Sequence, residues 1–96
     1  MRGIKMTLRQ ELNFHYVGRM YNFDPEEYIW VISPNWIRNM RAILRLKKKD
    51  NFTSFLIKIK KGIIIECYGV TGRNLDSGIY MYDGDLPNLY IDINRM

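Results

Sequence analysis

Ser33-Pro34-Asn35-Trp36-Ile37-Arg38-Asn39-Met40-Arg41-Ala42-Ile43-Leu44-Arg45-Leu46 is the stretch whose reading decides the fold. Ser33 suits an N-cap and Pro34 the first helical position. Trp36, Ile37, Met40, Ile43 and Leu44 then recur at i, i+1, i+4, i+7 and i+8, the apolar stripe of an amphipathic helix. At about 100° per residue, Arg38, Arg41 and Arg45 gather on the opposite side. Read as a strand, residues 41–48 would point Leu44 and Leu46 inward. The helical period accounts for more positions, so a helix over about 34–46 is predicted.

Beyond Asp50-Asn51 the period becomes two. Phe55, Ile57 and Ile59 alternate with Ser54, Leu56, Lys58 and Lys60. Lys61-Gly62 then makes a tight turn into an apolar run over residues 63–70. Residues 71–78 read as a loop by composition. Residues 79–82 and 89–93 read as short strands joined by Asp83-Gly84-Asp85-Leu86-Pro87-Asn88. Toward the N-terminus, residues 7–17 alternate, with Leu8, Leu12, Phe14 and Tyr16 on one face, and are expected to form a half-buried strand. Residues 28–32 follow Asp24-Pro25-Glu26-Glu27, which resembles a helix start. Their β-branched and aromatic run favours a strand instead. The expected fold is α+β: one domain over residues 1–96, an antiparallel sheet packed by one principal amphipathic helix.

The charge is unevenly spread. Between residues 36 and 61 stand Arg38, Arg41, Arg45, Lys47, Lys48, Lys49, Lys58, Lys60 and Lys61, against the single acid Asp50. Residues 1–35 balance, and residues 62–96 carry two basic and five acidic groups. A clustered cationic field is the footprint of a phosphate-rich partner. Arginine in particular clamps a phosphate with two parallel bonds. These nine residues are therefore the candidate nucleic-acid contacts. The expected function is a small, basic, non-enzymatic nucleic-acid-binding module, with RNA or single strands favoured over a duplex site. Tyr80, Tyr82 and Tyr90 could share a sheet face and stack bases.

Two rival readings stand beside it, the first of them on the same basic patch. One is a protein–protein inhibitor or antitoxin-like factor of a phage or other mobile element, set against an acidic protein or nucleoprotein surface. Ala42 is the lone alanine amid abundant Ile, Lys, Asn and Tyr, a bias typical of A/T-rich genomes. The other is a metal-independent endoribonuclease toxin, in which Lys58, Arg73, Tyr80 and Tyr82 stabilise charge and move protons.

Other chemistry is weakly supported. His15, the single histidine, has no sequence neighbour to act with it. Residues 69–74 lack the spacing of a phosphate-binding loop, and Asp83, Asp85, Asn88 and Asp92 fail the calcium-loop pattern. Neither a cofactor nor a metal is expected. Cys67 is the single cysteine, which rules out an internal disulfide, and standing among isoleucines it should be a buried, inert thiol. No apolar run approaches the roughly 20 residues of a membrane span, and residues 1–12 lack the apolar core of a secretory leader. The expected location is the cytoplasm, or the host cytoplasm if the chain is viral.

Overall fold

The computed structural model of the chain describes residues 6–95. Residues 1–5, part of the stretch searched for a leader, lie outside the described residues. In chain order come α1 (Leu8–Tyr21), β1 (Ile29–Val31), α2 (Pro34–Ile43), β2 (Ser54–Lys60), β3 (Ile63–Val70), a single 3-10 turn (Leu75–Ser77), β4 (Ile79–Met81) and a closing 3-10 turn (Ile93–Arg95). The strands form one sheet in the order β1-β2-β3-β4, each antiparallel to its neighbour. The fold is a small α+β domain, as expected, but two helices pack the sheet, one on each face.

The α2 face holds Ile29, Val31, Phe55, Ile57, Ile64 and Cys67, which close on Met40 and Leu44 of the helix and on Ile91. The other face holds Tyr28, Trp30, Leu56 and Val70, which meet Phe14 and Val17 of α1 and Leu75. Ser54, Phe55, Leu56 and Ile57 are consequently all buried, whichever way they point. Each buried aliphatic or aromatic side chain contributes roughly 1.5–3 kcal/mol relative to exposure.

The expected strand over residues 7–17 is a helix. Thr7 and Gln10 form a reciprocal capping box: Gln10 N–H donates to Thr7 Oγ1 at 3.2 Å and Thr7 N–H to Gln10 Oε1 at 2.8 Å. Phe14 and Val17, three apart, then share the core side. Leu8, Leu12, Tyr16 and Met20 remain exposed on the outer side. At the other terminus, the strand expected over residues 89–93 is an irregular crossing. Ile91 N–H donates to Gly62 O at 2.7 Å and the Ile91 side chain is buried, but no ladder forms.

Residues 28–32 do yield a strand, β1, and the Lys61-Gly62 turn forms as read, with φ of 54° and 80°. Both values lie in the left-handed region that a two-residue hairpin of this kind demands. Gly62 also supports the Tyr90 ring, which an added Cβ would strike at 2.2 Å. Near the turn β3 carries a bulge: Lys58 pairs with Glu66 while Ile59 pairs with Ile64. Ile65 is the extra residue and is exposed. Its insertion lets Ile64 and Cys67, three apart, face the same core.

Candidate nucleic-acid interface

The expected helix ends three residues early, and its ending builds the site. Leu44 caps α2, and Arg45 adopts φ 55°. Arg45 N–H donates to Ala42 O at 3.1 Å and Leu46 N–H to Arg41 O at 2.9 Å. This is the Schellman arrangement, with arginine where glycine is the usual choice. A compact turn follows: Asp50 N–H donates to Lys47 O at 3.0 Å, and Asp50 Oδ2 accepts from Lys47 N–H at 3.0 Å.

Arg41 staples that turn to the helix. Its Nη1 donates to Asp50 O at 2.7 Å and Phe52 O at 3.4 Å, and its Nη2 donates to Lys47 O at 2.8 Å. The fixed planar fork of the guanidinium sets two nitrogens against carbonyls of three residues, where an ammonium offers a single nitrogen. Arg41 therefore shares the helix face of Arg38 and Arg45 but spends its donors on the backbone. Tyr82 closes the far side, its hydroxyl donating to Leu44 O at 3.0 Å. Burial, followed by the charges of Cys67, Asp85, Asp83 and Asp50, raises its pKa above the ordinary phenol value.

Around this braced turn Arg38, Arg45, Lys47, Lys48 and Lys49 are all exposed. Among the described residues, none of these five side chains makes an ion pair. Asp50, the one acid in the basic run, is committed to the Lys47 backbone. Arg38 lies within α2 and Arg45 just beyond its cap. Part of the positive charge offsets the negative end of the α2 dipole.

The other three candidates lie elsewhere. Lys60 is exposed at the far end of β2 and Lys61 in the turn beyond it; the strand's six steps measure about 20 Å. Lys58 points to the α1 face of the sheet. Its Nζ lies 3.1 Å from Glu27 Oε2, 3.8 Å from Glu66 Oε2 and 5.6 Å from the centre of the Tyr28 ring. Tyr28 and Tyr68 both donate to Glu66 Oε1, at 2.7 and 3.1 Å. Burial first, then the bond to Glu66, raises both phenols, while the bond to Glu27 raises Lys58. All three groups keep their protons near neutrality, so the cluster acts as a set of donors to two carboxylates, the tyrosines to Glu66 and Lys58 to Glu27. Sequence reasoning missed Glu66, Tyr28 and Tyr68, because the bulge at Ile65 decides which residue opposes Lys58.

The residues of the ribonuclease reading do not come together. Lys58 faces α1, Tyr82 packs on the α2 side, and Arg73 is exposed in the loop after β3. The tyrosine trio is also dispersed: Tyr80 is exposed on β4, Tyr82 is partly buried, and Tyr90 lies over Gly62. His15 is exposed on α1, its Nε2 3.6 Å from Glu11 Oε2 one turn away. Among the described residues no group of His, Cys, Asp and Glu could hold a metal ion. Three amides of loop 71–78 are already bonded: Thr71 N–H to Gly78 O, Ser77 N–H to Asn74 O, and Leu75 N–H to Asn13 Oδ1 of α1. Cys67 is buried in an interior strand, and burial pushes its thiol up to about 12. No helix of the described residues is long and apolar enough to cross a membrane. Comparison of the chain with protein-family models, with curated proteins and with solved structures gives no match.

Proposed function

We propose that this chain is a small, non-enzymatic nucleic-acid-binding module that grips phosphates through the C-terminal end of α2 and the turn after it. The observation that supports the reading is the group of five exposed cations, Arg38, Arg45, Lys47, Lys48 and Lys49, without ion-pair partners among the described residues. Lys47, Lys48 and Lys49 sit in a turn that Arg41 and Asp50 brace with hydrogen bonds, so little ordering of that backbone is lost when an anion docks. Recognition is by charge rather than by base. Helices pack on both faces of the sheet, and the tyrosines left exposed on β4 and over Gly62, Tyr80 and Tyr90, are dispersed, so the reading rests on charge and not on stacking. The partner is thus RNA or another single strand bound without regard to sequence. The reading takes the chain to act in the cytoplasm, where nucleic acid is within reach and a lone thiol stays reduced.

A salt titration with unrelated RNA and DNA oligonucleotides tests this. Five phosphate contacts give a slope of log affinity against log salt of about −3.5 for single strands. Replacing Lys47, Lys48 and Lys49 together by Glu should flatten the slope by about 2. Replacing Lys60 and Lys61 by Glu, at the opposite end of the sheet, should change it little. Absence of binding at low salt, or equal effects of the two variants, would overturn the reading.

A further inference from the structure

β4 lies at an edge of the sheet, and its bonding to β3 is regular. Thr71 N–H donates to Gly78 O and Tyr82 N–H to Cys67 O, each at 3.0 Å, with Tyr80 opposite Gly69 between them. Bonded pairs alternate with unbonded pairs along an antiparallel ladder. Residues 78, 80 and 82 therefore aim their backbone groups at β3, and Ile79 and Met81 aim theirs out of the sheet. Among the described residues nothing bonds those outward groups. Nor is the edge covered, since Tyr80 is 57% and Met81 73% exposed. Sheet edges are ordinarily defended by lysine, proline or a bulge. Gly78-Ile79-Tyr80-Met81-Tyr82 has no charge and no proline, and its pairing shows no bulge.

We infer that β4 pairs with β4 of a second copy of this chain, fusing two four-stranded sheets into one of eight strands across a two-fold axis. The edge is complementary to itself. An antiparallel pairing centred on Tyr80 sets Ile79 opposite the partner's Met81 and Met81 opposite the partner's Ile79. Those are the residues with outward N–H and C=O groups, so four hydrogen bonds form together. Tyr80 meets the partner's Tyr80 at an unbonded position, where cross-strand side chains approach most closely. In this register Asp83 falls opposite the partner's Ser77, so no acid faces an acid.

The α1 face adds apolar contact. Ile79 and Met81 there line a hollow of about 240 Å³ with Tyr21, Phe23, Leu56 and Tyr68. The partner's Ile79 and Met81 come down on the same face and extend its apolar wall. The contact is small by the standard of stable interfaces, so association is concentration-dependent. Each copy carries a formal charge of +5, so added salt screens the repulsion and strengthens pairing. That dependence is opposite in sign to nucleic-acid binding, which keeps the two proposals separable.

Sedimentation equilibrium and amide hydrogen exchange, both run across a concentration series, test the inference. The expected mass rises from 11.5 kDa toward twice that value, while the Ile79 and Met81 amides gain protection in step. Met81→Lys, at an exposed position, should abolish both changes and leave the melting temperature in place. A monomer at millimolar concentration would overturn the inference. Doubling without protection at Ile79 and Met81 would also overturn it and point to the outer side of α1. Protection that appears only on adding an extended apolar peptide, with the chain still monomeric, would replace the second copy by a peptide ligand. The exchange readout needs no variant, so it decides even if Met81→Lys fails to fold.

Discussion

Ser54→Ala removes one oxygen from a layer that should be sealed against water. Trp30 on β1 is 2% exposed and Ser54 on β2 is 5% exposed. Trp30 Nε1 donates to Ser54 Oγ at 2.9 Å beneath Phe14 of α1, whose ring meets the indole edge-on at 6.4 Å. The substitution leaves a buried indole N–H without an acceptor. An orphaned buried donor costs about 1–3 kcal/mol, against a net contribution of only about 1 kcal/mol for an ordinary hydrogen bond. A loss of about 2 kcal/mol is expected, which lowers the melting temperature by roughly 8–16 °C in a domain of this size. Trp30→Phe should cost about 2–3 kcal/mol through the void it leaves. On that background the same Ser54→Ala change should cost less than about 0.5 kcal/mol, because no donor remains to be orphaned. Urea unfolding of the four chains of this cycle, followed by circular dichroism, measures both costs. If Ser54→Ala costs the same with and without the indole, or almost nothing in the parent, water reaches that nitrogen. The claim that α1 closes its face of the sheet would then be refuted.

Arg41→Lys should destabilise the chain by about 1–3 kcal/mol and raise amide exchange across residues 47–52, because an ammonium cannot span the carbonyls of Lys47, Asp50 and Phe52. Arg45→Gly should leave thermal stability unchanged or raise it by up to about 1 kcal/mol, since glycine accepts φ 55° without strain, while RNA affinity falls. Cys67 holds its proton to about 12 when folded, whereas the unfolded thiol loses it near 9. Its contribution to stability is therefore fully present below pH 9 and is lost as pH rises toward 12. In urea titrations between pH 9 and 10 Cys67→Ala should remove a slope of less than one proton, while the raised phenols of Tyr28, Tyr68 and Tyr82 keep the remaining decline at higher pH. Trp36→Ala should cost less than the removal of a fully buried tryptophan: Trp36 is only partly buried, and its indole N–H donates to Arg95 O at 2.9 Å. A loss of about 2–3 kcal/mol in thermal unfolding is expected.

The α2 stripe was legible because five apolar residues fit one period and Pro34 marked the start. Its end was not, since Arg45 takes a conformation that glycine would have announced. The residues of α1 alternate closely enough to imitate a strand. The informative signal was the pair Thr7 and Gln10, three apart, ahead of an apolar run. The sequence showed that cations were concentrated but not which of them share a surface. A two-residue turn at Lys61-Gly62 with regular pairing would set Lys58 against Ile65. The bulge sets it against Glu66 instead and turns a candidate phosphate contact into an ion-pair partner. Arg41 was hidden for another reason: only the folded turn after α2 brings the carbonyls of Lys47, Asp50 and Phe52 to one guanidinium.

The tether between Asn13 and the 3-10 turn bears on how the chain is made. Asn13 Oδ1 accepts from Leu75 N–H at 2.9 Å across 62 residues, and Phe14 and Val17 pack on side chains from β1, β2 and β3. Among these described elements α1 leaves the ribosome first, yet the last of its partners emerges several seconds later at about 5–20 residues per second. A 14-residue helix alone is marginal even with a capping box. The β2–β3 hairpin closes over two residues and can form as soon as it emerges. Of the two described helices, the one synthesised first is thus among the last elements to dock. Until then Phe14 and Val17 lack the sheet face that buries them.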